Sequence, residues 1–330
     1  ADEGSRTLVT SLGSSGNSRY TTSAAARLAR LFCSKEILLS TLLFLNPRRG
    51  IVASMTPSHE SHAAAAYDRM EDSRAFGAPV YHIAETGSTM QDARFLSAQG
   101  APDGTAVYAD FQRSGRGRIE GRVWDGETGK DLLCTVMLKR QPPPGFTLRV
   151  GLAVSRVFER YLSGSCCTQI KWPNDVLADG KKLAGILCES DGEYLYIGTG
   201  FNIGRTTFPE ELARKASSLA LLIRETGTGE AVRSPQTASF PQLPSIREVL
   251  ETWLEELRLV LEDEEWNRGV TERLYRKNET LRFLNGDPER NEYIEGILVG
   301  IGPSGELLVR ESGSEESTPP RRLFSGEIPY

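Results

Sequence analysis

From Pro79 onward the apolar positions fall into two rhythms. Thr105–Phe111 and Leu132–Leu138 are short runs rich in β-formers, bounded by glycine or charge, and they predict strands. Leu148–Leu162 instead spaces Val150, Val154, Val157, Phe158 and Tyr161 as a helical stripe. Ile186–Cys188 and Tyr194–Ile197 flank Asp191-Gly192, a hairpin signal. Ser245-Ile246-Arg247-Glu248 has the form of a capping box. After it, Ile246, Val249, Leu250, Trp253, Leu254, Leu257 and Leu261 share one face, and that stripe reads as core. Arg224–Pro244, rich in Gly, Thr, Ser and Pro, reads as a connection. The closing runs Leu281–Leu284, Tyr293–Val299 and Leu307–Val309, separated by Gly, Asp and Pro turns, predict a small all-β module such as an SH3-like barrel.

Residues 1 to about 75 lack this regularity. Ser, Ala, Thr and Arg dominate (Thr21 to Ala26, Ala63 to Ala66), and a helix is expected over Ala24–Leu45. Three readings stay open: a poorly ordered extension, a degenerate helical domain, or a targeting segment, against which Asp2 and Glu3 speak. Met55 and Met70 are candidate starts. A helix, turn, recognition helix and wing cannot be traced, and nine Lys/Arg stand against seven Asp/Glu there, so DNA is not an expected partner.

Length and composition narrow the class. The 330 residues suggest about two domains at roughly 150 each. Hydrophobic content of 39% and charged content of 25% suit a globular chain with a sizeable core. The net charge of -5 leaves no broad basic surface, so a bound anion must meet a local cluster. Five cysteines without a C-x-x-C pair argue against a disulfide framework or zinc ribbon and for reduced thiols in the cytoplasm. With only His59, His62 and His82, any histidine triad would rest on His82 alone, which removes most hydrolase mechanisms. The longest apolar run, Ile37 to Leu45, is too short to span a bilayer.

Four clusters carry chemistry. The first is Gln112-Arg113-Ser114-Gly115-Arg116-Gly117-Arg118-Ile119-Glu120-Gly121-Arg122-Val123-Trp124, at the exit of a predicted strand. Glycines allow close backbone approach, and guanidinium forks match phosphate oxygens. A mobile loop closing over a phosphorylated ligand and a solvated basic loop or RGG-like tract fit these residues equally well. The second is Lys171-Trp172-Pro173-Asn174-Asp175 with Asp179-Gly180-Lys181-Lys182-Leu183-Ala184-Gly185-Ile186-Leu187. Here Asp175 offers a hard oxygen ligand and Lys182 a point charge, although a hairpin with a charged solvated tip has the same spacing. The third, Glu85-Thr86-Gly87-Ser88-Thr89, reads by itself as a helix N-cap, and the fourth is Ile197-Gly198-Thr199-Gly200-Phe201-Asn202-Ile203-Gly204, a strand ending in glycines that let something pack against its backbone. The glycine spacings miss the dinucleotide fingerprint, and Gly180-Lys181-Lys182 is not a Walker A loop.

In this order the four clusters resemble the catalytic domain of the biotin protein ligases, over about residues 80 to 275. Gly326-Glu327-Ile328 resembles the end of that family's small β-barrel domain. The resemblance implies an α+β fold: a class II aminoacyl-tRNA-synthetase-like mixed sheet, largely antiparallel, with packed helices and the C-terminal SH3-like β-barrel. It divides the chain into an extension (1–75), a biotin/ATP-binding domain (76–275) and the barrel (276–330). It implies ATP-driven conversion of biotin to biotinyl-5′-AMP, with Mg²⁺, then transfer to a lysine of a biotin carboxyl carrier domain. It leaves room for a homodimer and calls for no membrane.

Residue by residue, the resemblance puts Ser88, Thr89 and Gln112 on the ureido ring, with Met90 beside them. Gly115, Arg116, Gly117 and Arg118 become the loop over the carboxylate and phosphates, with Arg122 and Trp124 enclosing the adenylate. Lys182 falls between carboxylate and α-phosphate, making Lys182, Arg116 and Arg118 the catalytic set. Asn174 and Asp175 position nucleotide and Mg²⁺, Asn202 the adenine, and Gly185 and Gly200 give backbone access to biotin. Two departures stand out: one residue more than usual between Arg118 and Trp124, with Glu120 where positive charge is common, and Met90 where Asn is frequent. A lipoate or octanoyl protein ligase, and a bifunctional ligase with an N-terminal repressor, are the alternatives.

Overall fold

The computed structural model describes residues 67–119, 121–162, 167–231, 242–286, 292–315 and 317–328, and the helix expected over Ala24–Leu45 lies outside them. All of these residues belong to one compact unit. Its main feature is an eight-stranded sheet of order β1-β2-β3-β4-β8-β7-β6-β5. The strands are β1 Asp68–Arg69, β2 Val80–Thr86, β3 Ala106–Gln112, β4 Asp131–Leu138, β5 Thr168–Lys171, β6 Asp175–Ala178, β7 Lys181–Ser190 and β8 Leu195–Asn202. Only β2 and β3 run parallel, so the sheet is mixed and largely antiparallel. Because Asp68 and Arg69 pair with His82 and Tyr81, the sheet starts ahead of residue 76.

Alternation within the central strands decides what each face holds. Leu132, Cys134 and Val136 of β4, with Ile197 and Phe201 of β8, join the large core. That core is closed by helices α2 (Phe146–Leu162) and α5 (Ile246–Glu262). The α5 stripe is buried from Val249 to Leu261, with Ile246 half-buried at its start, and its Ser245/Glu248 capping box is complete. On the opposite face, α1 (Thr89–Ala98) covers one end of the sheet, burying Met90, Ala93 and Leu96 beside Val107, Met137 and Tyr196. The rest of this face is left to the loop between β3 and β4.

One expected connection is partly helix. Between the short α3 (Glu210–Ala213) and α5, helix α4 spans Leu219–Ala231 and so enters the segment Arg224–Pro244. Leu219 and Leu222 are buried in the core and fix its first turns, outweighing the low helix propensity of the Gly and Thr that follow. A further short helix, α6, covers Trp266–Glu272.

The C-terminal residues form an antiparallel five-stranded sheet, ordered β12-β11-β10-β9-β13. Its strands are β9 Thr280–Asn285, β10 Tyr293–Ile301, β11 Leu307–Glu311, β12 Arg321–Leu323 and β13 Gly326–Glu327. Trp172 Nε1 donates to the Gly305 carbonyl at 3.0 Å, tying the start of the β5–β6 turn to this second sheet. No helix among the described residues is long and apolar enough to cross a membrane.

Candidate active site

Strand alternation also builds the site. Gly198 and Gly200 of β8 and Gly185 of β7 leave a floor without side chains on the face opposite the large core. A Cβ at Gly185 or Gly200 would lie 2.7 or 2.6 Å from the Trp124 ring, so the indole rests on bare backbone there. The cavity above is lined by Ser88, Thr89, Met90, Gln112, Arg116, Gly117, Trp124, Asn174, Lys182, Gly185 and Gly200 from the sequence-based set. Thr135, Leu187 and Gly198 line it too.

At one end the polar groups order one another. Gln112 Oε1 accepts from Thr89 N at 2.8 Å and Thr89 Oγ1 at 3.0 Å, and Thr89 Oγ1 lies 2.9 Å from Thr135 Oγ1. Two bonds to the oxygen leave the Gln112 amide nitrogen on the Gly115 side, as a donor. Ser88 occupies the N-cap position of α1, yet its hydroxyl makes no capping hydrogen bond. Thr89 Oγ1 is engaged with Gln112 and Thr135 instead. The Met90 side chain packs on Gly198, where a Cβ would come within 2.9 Å of its terminal methyl group.

The β6–β7 hairpin delivers the cation. Its two-residue turn, Asp179-Gly180, has φ of 48° and 72°, the left-handed pair of a type I′ turn. That register brings Lys182 Nζ to 2.7 Å from Asp175 Oδ1 and 5.4 Å from the centre of the Trp124 ring. Asn174 Nδ2 donates to the Ile186 carbonyl at 3.1 Å. Asn202 Nδ2 donates to the carbonyls of Lys182 (3.2 Å) and Ser217 (2.9 Å), so its amide holds the lysine's main chain.

The Gly-Arg loop forms a small hairpin, with Arg116 bridged to Val123 and the Trp124 N–H on the Gly115 carbonyl. Arg118 and Arg122 reach outward to β13. Arg118 donates to the Gly326 carbonyl at 3.0 Å, and Arg122 grips both Glu327 oxygens at 2.8 and 3.0 Å. Lys171, itself buried, lies 3.6 Å from the same carboxylate. Burial alone would raise the Glu327 pKa, but the Arg122 hydrogen bonds and the charges of Lys171 and Arg118 hold it below the ordinary value. Burial lowers the Lys171 pKa, against the pull of Asp175 and Glu327.

Residues 83–202 match the model of the biotin/lipoate A/B protein ligase family. Over that segment the chain is similar to this family. It is 38% identical over 152 residues to the bifunctional ligase/repressor BirA of Bacillus subtilis, covering 43% of this chain and 46% of that protein. It is also 38% identical to a biotin–[acetyl-CoA-carboxylase] ligase of Mycobacterium tuberculosis, over 42% of this chain and 53% of that protein. The chain thus spans about half the length of the curated relatives it matches. Among solved structures, the biotin protein ligase of Aquifex aeolicus in complex with biotin and ATP is similar with a TM-score of 0.60 and 25% identity. That match covers 76% of this chain and 97% of the other. The matched segment carries the cavity, from Ser88 to Gly200.

Sequence reasoning missed Thr135 as a lining residue, while Leu187 and Gly198 lay inside its second and fourth clusters without an assigned role. Thr135 carried a readable signal, since a hydroxyl in the apolar run Leu132–Leu138 asks for a partner.

Proposed function

We propose that the chain is a biotin protein ligase, and the observation that carries this is the glycine-floored cavity. It has an ordered hydroxyl and amide end and a lysine beside its indole cover. A flat, apolar bicycle with one polar edge suits such a floor, and a carboxylate on a chain suits the neighbourhood of Lys182 and Arg116. In this reading Ser88, Thr89 and Gln112 hold the ureido edge, with Met90 beside them. The carboxylate oxygen attacks the α-phosphorus of ATP, the bond to the β-phosphate oxygen breaks, and pyrophosphate leaves. The acyl carbon of the resulting biotinyl-5′-AMP is then attacked by a carrier-domain lysine amine; the amide forms and AMP departs. Lys182 stabilises the negative charge that builds in both steps, a task for preorganised charge rather than for a His or Cys base. Gly115, Arg116, Gly117 and Arg118 close over carboxylate and phosphates and keep water from the mixed anhydride, while Arg122 and Trp124 enclose the adenylate. Asn174 and Asn202 position the nucleotide.

Mg²⁺ belongs to the same reading. The described residues hold no group of three or more metal-ligating side chains, and Asp175 is engaged with Lys182. One carboxylate suits an ion that keeps most of its waters and arrives on the triphosphate, whose charge it would neutralise. The class II synthetase-like sheet, the closure of the five C-terminal strands into an SH3-like barrel, and the division near residue 275 are further parts of the proposal. A biotin carboxyl carrier domain is the partner, in a reducing cytoplasm that suits the free Cys134 and Cys188.

The test is ATP–pyrophosphate exchange by the full chain, with biotin, lipoate or octanoate as the acid. Exchange that depends on biotin is expected. Exchange driven by lipoate or octanoate in its place would transfer the chain to the other branch of the family.

A further inference from the structure

Ser88 and Gln91 stand at the spacing of a capping box, yet the Ser88 hydroxyl caps nothing at the start of α1. The Thr89 N–H goes to Gln112 Oε1 of β3 instead, at 2.8 Å. A different group ties the helix start down. Asp92, in the first turn and only 6% exposed, accepts the Thr86 hydroxyl on Oδ2 at 2.7 Å and the Tyr67 hydroxyl on Oδ1 at 3.0 Å. Thr86 is the last residue of β2 and lies opposite Gln112 in the β2–β3 register. The bond from Thr86 to Asp92 joins residues six positions apart, and Ser88, Thr89 and Met90 lie between its ends.

Ser88, Thr89 and Met90 line the cavity, whereas Tyr67, Thr86 and Asp92 stand outside its lining. An acid in a first helical turn also suits the helix dipole, but that role asks only for charge near the terminus and for no hydroxyl partner. Here the carboxylate is buried, and each oxygen receives a hydroxyl from a different segment, which fixes its direction as well as its place. Tyr67 comes from immediately ahead of β1, stacks on Phe95 at 6.3 Å and meets Tyr81 edge-on at 6.0 Å. Burial, and after it the Asp92 charge, raises the Tyr67 pKa, so the phenol stays a donor at neutral pH.

We infer that Asp92 is a positioning residue for the hydroxyl end of the cavity and that Tyr67 completes it from outside: together they fix the junction of β2 and α1, which holds Ser88 and Thr89 in place for the polar edge of the acid. In the biotin ligase reading Ser88 and Thr89 serve the acid and Lys182 the phosphate, so the contribution falls on affinity for the acid and spares the nucleotide. In what it says of the acid the inference rests on that reading; the fixing of the junction does not.

Two measurements on the full chain test this. In ATP–pyrophosphate exchange, Asp92→Asn should raise the KM for biotin about tenfold and Tyr67→Phe about threefold, with kcat and the KM for ATP within about twofold of wild type. An unchanged KM for biotin would overturn the assignment, as would a loss of kcat or an equal rise in both KM values, the mark of a merely structural role. Without ligand, hydrogen exchange over 86–92 should quicken about tenfold in Asp92→Asn and about threefold in Tyr67→Phe, while β7 and β8 keep their rates. Wild-type rates over 86–92 in the folded variants, or a rise spread over every strand, would contradict the inference. If Asp92→Asn does not fold, Tyr67→Phe decides, since it keeps the aromatic ring and removes one oxygen. Absence of biotin-dependent turnover in the wild-type chain would count against the ligase reading, and the ligand-free comparison would still decide whether Asp92 fixes the junction.

Discussion

The two faces of the eight-stranded sheet are cut from the same strands yet obey opposite rules. Facing α2 and α5, β4 and β8 present Leu132, Cys134, Val136, Ile197 and Phe201, all fully or almost fully buried. One position along, they present Thr135, Gly198, Gly200 and Asn202. The first set fills volume and the second withholds it, which is how one strand serves a core and a cavity at once. The lesson is that side-chain vacancy at alternate positions marks this site as strongly as any charged residue.

Filling the vacancy is the sharpest way to break that comparison. Gly200→Val puts atoms where the Trp124 ring lies, so ligand binding and adenylation should be lost, while the thermal midpoint barely changes because the displaced ring sits on a loop. Phe201→Ala, the neighbouring position on the other face, should do the reverse: about 3–5 kcal/mol of stability lost in a denaturant titration, with ligand affinity kept in the folded fraction. Lys182→Ala should leave the fold intact and slow biotin-dependent exchange about 100- to 1000-fold. Activity near the starting level would remove Lys182 from its role. Arg118→Gly cuts the tie to Gly326 and loosens the hairpin; free biotinyl-adenylate and labelling of nearby lysines should rise, and a tightly retained intermediate would contradict this.

The smallest effect concerns Asp131, on the vacant face at the start of β4. Burial pushes its carboxyl up to about 7, against the Glu127 N–H and Arg205, which pull it down. A folded-state pKa above the unfolded one means that the folded chain binds the proton more tightly. The contribution is full below about pH 4 and is lost as pH rises towards about 7. Stability should therefore fall across that window by up to ~1.4 kcal/mol per pH unit from this group, and Asp131→Asn should flatten the slope.

Much of this was legible because the chemistry is local in sequence. Thr89, Gln112, Arg116, Trp124, Lys182 and Gly200 stand in short clusters that stay ambiguous one by one and gain roles only from the family resemblance of the whole set, and the cavity collects them. The core helices were equally plain, since α5 carries both its stripe and its cap. Contacts across strands and between sheets were not. Thr135 joins Thr89 only through the β3–β4 register, and Arg205 finds Asp125 across 80 positions. Glu327 meets Arg122 from the second sheet, and Gly326 there meets Arg118, contacts that no local spacing in the sequence announces. The run of Gly and Thr in α4 concealed a helix anchored by its first turns.

The most direct measurement is calorimetric titration of biotin into the wild-type chain and into Gly200→Val, beside their thermal midpoints. The account predicts one-to-one binding by the wild type, none by the variant, and closely similar midpoints. Equal binding by both chains would show that the ligand does not lie on the glycine floor, and the central claim would fall.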